Sequence, residues 1–114
     1  MDRDQLFLLQ QGFEDPAYPG QRFYCWHCAL IEGVLAAFPH LTQRIDIHRI
    51  AWPRPRREVI AVVGEENQSL PLLVLADRPA FDKPPTYKGR AFLADKDQIL
   101  AALSDRHGFP RPHP

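Results

Sequence analysis

The sequence has no apolar run long enough to cross a membrane and no excess of charge of either sign. Near its start, the apolar run Leu6–Leu9 is far shorter than the roughly 20 residues of a membrane helix, and shorter than a signal-peptide core. Fourteen basic residues balance fourteen acidic ones, so no overall positive field favours nucleic acid as a partner. We therefore expect a cytoplasmic protein with neither a membrane nor a nucleic acid as its partner.

Cysteine is also scarce, since the chain has only two, Cys25 and Cys28. In a reducing cytoplasm, cysteines at this spacing serve catalysis, redox sensing or metal binding more often than they form a structural disulfide. A closed zinc site normally combines one C-x-x-C with a second Cys or His pair. We therefore predict no metal site, and this cysteine pair is the main chemical signal in the sequence.

The length and composition fit one globular domain that spans residues 1–114. With 114 residues, 45% of them hydrophobic and 25% charged, the chain has the proportions of a single packed core. Of the twelve prolines, all but Pro39 and Pro71 gather between residues 12 and 20, at Pro53 and Pro55, between residues 79 and 85, and at the end. Proline is excluded from helix interiors and central strands, so these stretches are predicted loops.

Hydrophobic periodicity predicts an α/β domain with the order β-α-β-α-β-β-α. The predicted strands are Gln5–Leu9, Ile45–Ile50, Leu70–Leu75 and Ala91–Leu93. The predicted helices run from about Trp26 to Phe38, over Arg56–Val63, and from Asp95, an N-cap, to Gly108. The last two strands are expected to pair as a hairpin, with residues 77–90 as an enlarged connecting loop.

The same periodicity predicts which apolar side chains form the core. They lie on the inward face of each predicted helix or strand. The side chains expected to be buried are Leu8, Leu9, Leu30, Val34, Leu35, Ile47, Val59, Ile60, Leu73, Val74, Leu75, Ile99 and Leu103. The first helix should therefore be buried on the side of Val34.

This order, with a C-x-x-C at residues 25–28 and Pro71 at the head of the third strand, resembles the glutaredoxin-like branch of the thioredoxin superfamily. The stretch Leu70–Leu75, with Asp95 beyond it, is also similar to the amino-terminal domain of glutathione S-transferases. Most closely, the whole sequence resembles a small bacterial family of uncharacterised proteins with a thioredoxin-like fold. The resemblance implies a thioredoxin-like fold with a four-stranded mixed sheet, and thiol–disulfide oxidoreductase activity.

The cysteine pair has the arrangement that disulfide exchange needs. A helix N-terminus offers unpaired N–H groups and the positive end of the helix dipole to the thiolate of Cys25. Cys28 lies one turn later on the same side, where it can resolve a mixed disulfide formed at Cys25. A protonated His27 would stabilise the thiolate further; an exposed histidine without a role is the equal alternative.

Five more residues are candidates for binding a disulfide or thiol substrate. Tyr24 and Trp26 offer an apolar surface beside the cysteines, although such aromatic clusters more often form the small core of a loop. The resemblance implies that Pro71 is cis and faces the cysteines, leaving the backbone of Leu70 free to pair with a peptide or with glutathione. It also implies that Asp95 receives the amino group of a γ-glutamyl moiety. The alternative is that Asp95 only caps the last helix. No cofactor is predicted, and glutathione is the co-substrate that the resemblance suggests.

Three classes of function remain open at this point. The first is a thiol–disulfide oxidoreductase acting on protein or low-molecular-weight disulfides through Cys25 and Cys28. The second is a binding or interaction module without activity, favoured by Trp26 between the cysteines and by the long loops at residues 10–24 and 77–90. The third, ranked below both, is a metal or iron–sulfur protein.

Overall fold

A computed structural model describes residues 3–77 and 83–114 of the chain, and these form a mixed α/β structure. The strands are β1 (Gln5–Leu9), β2 (Phe13–Glu14), β3 (Arg22–Phe23), β4 (Asp46–Ile50), β5 (Leu72–Val74), β6 (Thr86–Tyr87) and β7 (Arg90–Leu93). The helices are α1 (Trp26–Ala37), α2 (Pro39–Thr42), α3 (Arg57–Val63) and α4 (Lys96–His107). Every helix and strand predicted from the sequence is present, with small changes at the ends.

The main sheet has five strands in the order β4-β1-β5-β7-β6. β1 runs parallel to β4 and antiparallel to β5, and β5 runs antiparallel to β7. The expected pairing of the third and fourth predicted strands is therefore confirmed, with Leu73 opposite Leu93.

The prediction of four strands was wrong, because β6 adds a fifth. β6 pairs with β7, with Tyr87 opposite Arg90. Lys88 (φ 50°) and Gly89 (φ 82°) form the two-residue connection, and positive φ at both positions is what the tightest β-hairpins require. The region predicted as one irregular loop thus contains a hairpin, while its residues 78–82 lie outside the described part of the chain.

The long predicted loop before α1 is also more ordered than expected. Within it, β2 and β3 form a small antiparallel hairpin in which Phe13 faces Phe23. The Phe13 ring stacks on Trp52, with centroids 5.7 Å apart, and Tyr18 meets Phe23 edge to face at the same 5.7 Å. These aromatic side chains fix the segment that leads into the cysteines.

The core lies on both faces of the sheet, as a continuous apolar run in β1 requires. Leu6 and Leu8 point to the face covered by α1 and α4, whereas Phe7 points to the face covered by α3. Strand side chains alternate between faces, so one short strand contributes to both halves of the core. Helices thus cover both faces.

Most of the predicted core is buried, but the prediction that Leu30 is buried was wrong. Its residue surface is 44% exposed, because the buried face of α1 passes through Cys28, Ile31 and Leu35. Val34 packs against this core but is only half-buried. Two further predicted core residues, Ile47 and Ile60, are half-buried as well.

The ends of the helices follow from their capping residues. The side chain of Asp95 accepts a hydrogen bond from the Gln98 N–H at 3.0 Å, and Gly108 ends α4 at φ 78°. Both ends of this helix were predicted. Within the described ranges, no helix has the length and apolar character that crossing a membrane demands.

Candidate active site at the start of the first helix

Cys25 is the residue at which α1 begins. It has extended backbone angles, and its Sγ accepts a hydrogen bond from the Cys28 N–H at 3.3 Å. A helix N-terminus leaves such N–H groups without backbone partners, so the sulfur takes the place that a serine or aspartate oxygen usually fills. Cys25 is half-buried and both cysteines are free thiols. A negative charge on this sulfur would have a donor already in position.

Cys28 occupies a very different environment, although it lies only one turn away. It is fully buried, and the Leu9 N–H points at its Sγ from 3.5 Å. Burial raises the pKa of the Cys28 thiol to about 12, helped by the hydrogen bond with Cys25 and by negative charge on Cys25 and Glu32, while the Leu9 N–H opposes this rise. One thiol is thus accessible and the other is protected and hard to ionise.

Gln11 holds the backbone of Cys25 in place. Its Oε1 accepts the Cys25 N–H at 2.7 Å, and its Nε2 donates to the Cys25 carbonyl at 3.1 Å. Sequence reasoning missed this residue, since a glutamine after a strand looks like ordinary loop surface. Its only visible signal is its position just after β1, where the sheet edge meets the start of α1.

Replacing Gln11 with alanine should slow the reaction of Cys25 with a disulfide several-fold. The two lost hydrogen bonds contribute about 1 kcal/mol each. Without them Cys25 spends less time in the orientation in which its sulfur caps α1. Stopped-flow measurement of mixed-disulfide formation tests this. Gln10→Ala is the matched control, because among the described residues the Gln10 side chain makes only a long 3.5 Å contact with the Arg49 carbonyl. Equal rates in the two variants would contradict a positioning role for Gln11.

Two aromatic side chains flank Cys25 and remain exposed. Tyr24 is 68% exposed and Trp26 67%, and Leu30 lies one turn after Trp26 on the same helix. They are therefore not part of the small core of the β2–β3 hairpin. The His27 ring packs against the Trp26 ring, with centroids 3.8 Å apart, and no hydrogen bond joins it to either sulfur in the described part of the chain. The predicted stabilisation of a thiolate by His27 stays a prediction.

The sheet brings the other candidate residues to the end of the strands at which the cysteines lie, called here the cysteine edge. The C-terminal ends of β1 and β7 and the start of β5 meet there, since Phe7 pairs with Leu72, and Leu73 pairs with Leu93. Pro71 therefore lies at this edge and is buried, with a cis Leu70–Pro71 peptide bond as expected. Asp95 follows β7 at the same edge, where it caps α4. No contact in the structure tests the substrate-binding roles of Leu70, Pro71 and Asp95.

A buried arginine, Arg56, also lies at this edge, just before α3. It is only 6% exposed, and the sequence identified it only as the start of the second predicted helix. In residues 3–77 and 83–114, no three His, Cys, Asp or Glu side chains form a group suited to holding a metal ion.

The chain belongs to a family described as "Protein of unknown function (DUF3088)", whose model matches residues 3–111. No curated protein matches the chain, and no solved structure matches it either. The family match covers the whole sheet, the cysteine pair and all four helices. The family description names no activity, so any function has to be inferred from the site itself.

Proposed function

We propose that this protein is a thiol–disulfide oxidoreductase with a thioredoxin-like fold, in which Cys25 attacks and Cys28 resolves. The observation that carries the proposal is the asymmetry of the pair. Cys25 caps α1 with a backbone N–H directed at its sulfur, and Cys28 is fully buried one turn later. Nucleophilic and resolving thiols need this combination of one accessible and one protected sulfur.

The topology supports the proposed fold. The strands β4, β1, β5 and β7 are adjacent in that order, with only the β1–β4 pair parallel. α1 connects β1 to the parallel strand β4, and α4 follows β7. A four-stranded mixed sheet is what the resemblance to thioredoxin-like proteins implies, and β6 is an additional edge strand. The topology supports the cysteine pair as a site because the first helix then starts at the C-terminal edge of a central strand.

The proposed reaction proceeds in two displacements. The Cys25 thiolate attacks one sulfur of a substrate disulfide, forming a mixed disulfide, and the other substrate sulfur leaves as a thiolate that takes up a proton. Cys28 then attacks Cys25, the bond to the substrate breaks, and the second substrate thiol leaves. The protein ends with a Cys25–Cys28 disulfide, and the substrate has gained two electrons and two protons. Two low-molecular-weight thiols, or one protein dithiol, return the pair to the dithiol and leave as a disulfide. The reducing cytoplasm would provide such thiols.

The surroundings of Cys25 favour a substrate with an apolar surface. Tyr24, Trp26 and Leu30 are all exposed beside it, and aromatic side chains gain binding energy when a partner covers them. The proposed substrate is therefore a protein disulfide, with glutathione as the alternative co-substrate.

The same exposed side chains support a second candidate function. A domain that binds a partner through Tyr24 and Trp26, and uses its cysteines for no reaction, would present the same apolar surface. The two functions differ in what happens to the sulfurs when a disulfide is supplied.

A disulfide-exchange assay combined with alkylation separates them. Reduced protein should reduce the disulfides of insulin and should itself form the Cys25–Cys28 bond. Iodoacetamide at neutral pH should modify Cys25 at least about tenfold faster than Cys28, since the second thiol is buried and hard to ionise. Mass spectrometry of tryptic peptides after short exposures gives the two rates. Equal rates together with no transfer to insulin would refute the oxidoreductase and favour the binding module.

A further inference from the structure

Arg56 is a buried cation with no acidic partner in the described part of the chain. Its residue surface is 6% exposed, and a charge so far from water normally pairs with a carboxylate. Among the residues that the structure describes, the guanidinium donates only to backbone carbonyls. They are those of Trp52, through Nε at 3.0 Å and Nη2 at 2.6 Å, and of Gln68, through Nη1 at 2.7 Å. Carbonyl oxygens satisfy its donors without neutralising its charge.

These contacts fix the guanidinium at the cysteine edge of the sheet. Trp52 follows β4, whose Ile50 carbonyl accepts the Gln10 N–H at the C-terminal end of β1. Gln68 leads directly to Leu70 and Pro71, and its own Oε1 accepts the Arg56 N–H at 2.8 Å. The arginine therefore joins two loops that meet beside the start of α1.

Among the described residues, the negative charges that attract the guanidinium are those of the cysteine thiolates. Burial lowers the pKa of Arg56 from its ordinary value, and the positive charge of Arg54 adds to this effect. Attraction to Cys28 and Cys25, in that order, opposes the decrease. Two negatively charged groups act on Cys28 in the opposite way to Arg56. Negative charge on Cys25 and Glu32 raises the pKa of the Cys28 thiol and so disfavours the Cys28 thiolate. Glu32 itself is held by two hydrogen bonds from Arg49 at 2.7 and 2.8 Å.

We propose that the buried guanidinium of Arg56 is a positioning residue that stabilises the Cys28 thiolate during the resolving step. The inference rests on the proposed function. In it, Arg56 supplies a positive charge for a resolving thiol that burial makes hard to ionise. When Cys28 attacks the mixed disulfide, its proton is released and ends on the departing substrate thiolate. The Cys25–Cys28 bond forms as the Cys25–substrate bond breaks. A fixed positive charge acts strongly across a region from which water is excluded.

A single experiment resolves the two displacements. Reduced protein is mixed with one equivalent of 2,2′-dithiodipyridine, and released thiopyridone is followed by absorbance. The first release reports attack by Cys25 and the second reports resolution by Cys28. Arg56→Gln keeps hydrogen-bond donors but loses the charge, and should slow the second release about three- to tenfold while leaving the first nearly unchanged. This range corresponds to roughly one to two pKa units of lost thiolate stabilisation, partly offset by the higher nucleophilicity of a more basic thiolate.

Two further variants control for structure and charge. Arg56→Lys keeps the positive charge and should retain a second release within about threefold of the wild type, even if Arg56→Gln fails to fold. Arg54→Gln removes the same charge from an exposed neighbour and should leave both releases unchanged. Circular dichroism checks that each variant is folded.

The outcomes separate the inference from the proposed function. A wild type that releases only one equivalent refutes the proposed oxidoreductase. A biphasic wild type with an unchanged second release in Arg56→Gln, or with both releases slowed equally, overturns the role of Arg56 alone. A strongly slowed second release in Arg56→Lys would also overturn it.

Discussion

Replacing Cys25 with serine should abolish disulfide exchange, whereas replacing Cys28 with serine should stop the reaction at a mixed disulfide. The first change removes the accessible sulfur that caps α1. The second leaves this nucleophile and removes the buried sulfur that would release the substrate. A serine hydroxyl cannot replace a thiolate in exchange, so the expected loss of turnover is at least about a thousandfold in both variants.

The trapped species distinguishes the two variants. Incubation with a disulfide substrate, followed by non-reducing electrophoresis and mass spectrometry, should show a covalent adduct at Cys25 in Cys28→Ser and none in Cys25→Ser. A Cys25→Ala, Cys28→Ala double variant controls for non-covalent binding through Tyr24 and Trp26. An adduct on Cys28 in the Cys25→Ser protein would reverse the roles proposed for the two sulfurs.

The position of the cysteine pair could be predicted because its causes are local. The apolar run Leu6–Leu9 is not interrupted by polar residues, which predicts a buried strand. The apolar residues after Cys28 repeat at helical spacing, which predicts a helix. The prediction for the buried face of α1 was wrong at Leu30, because Leu30 and Ile31 are adjacent apolar residues and only packing decides between them. β6 was missed because Lys88-Gly89 is a weaker hairpin signal than Asn-Gly or Asp-Gly.

The supporting residues could not be predicted because their partners are distant in the chain. Gln11 bonds to a residue 14 positions away, and Arg56 to one 12 positions away. Polar residues of this kind look like solvated surface in a sequence, since nothing local shows that the fold will bury them. Asp4 is a third example, since its partners Arg106 and His107 lie 102 and 103 positions away.

Asp4 lies at the end of the sheet opposite the cysteines and joins β1 to the end of α4. Its residue surface is only 2% exposed. Arg106 donates to both of its carboxylate oxygens at 2.7 Å, the His107 ring bonds to Oδ2 at 2.7 Å, and the Ala76 N–H donates to Oδ1 at 2.7 Å. Burial alone would raise the pKa of Asp4, but the hydrogen bonds from His107, Arg106 and Ala76 outweigh it and hold that pKa well below its ordinary value.

Replacing Asp4 with asparagine should therefore lower the free energy of unfolding by about 3–5 kcal/mol, because it leaves a partly buried arginine without its main counter-charge. Urea unfolding at pH 7 measures this change, and the Tm should fall by more than about 10 °C. Asp77→Asn is the matched control. Asp77 also pairs with Arg106, at 2.8 Å, but its side chain is 77% exposed, and an exposed pair contributes only about 0–1 kcal/mol.

The difference between wild type and Asp4→Asn should also depend on pH in a defined direction. A carboxylate whose pKa is depressed in the folded state stabilises the protein fully above its unfolded value of 3.8, and this contribution is lost as the pH falls toward the folded value. Urea titrations from pH 7 to pH 2.5 should accordingly show the gap between the two proteins closing below about pH 4, with Asp77→Asn following the wild type throughout. A gap that stays constant over this range would mean that the Asp4 charge is not what stabilises the end of α4, and that the asparagine acts through packing alone.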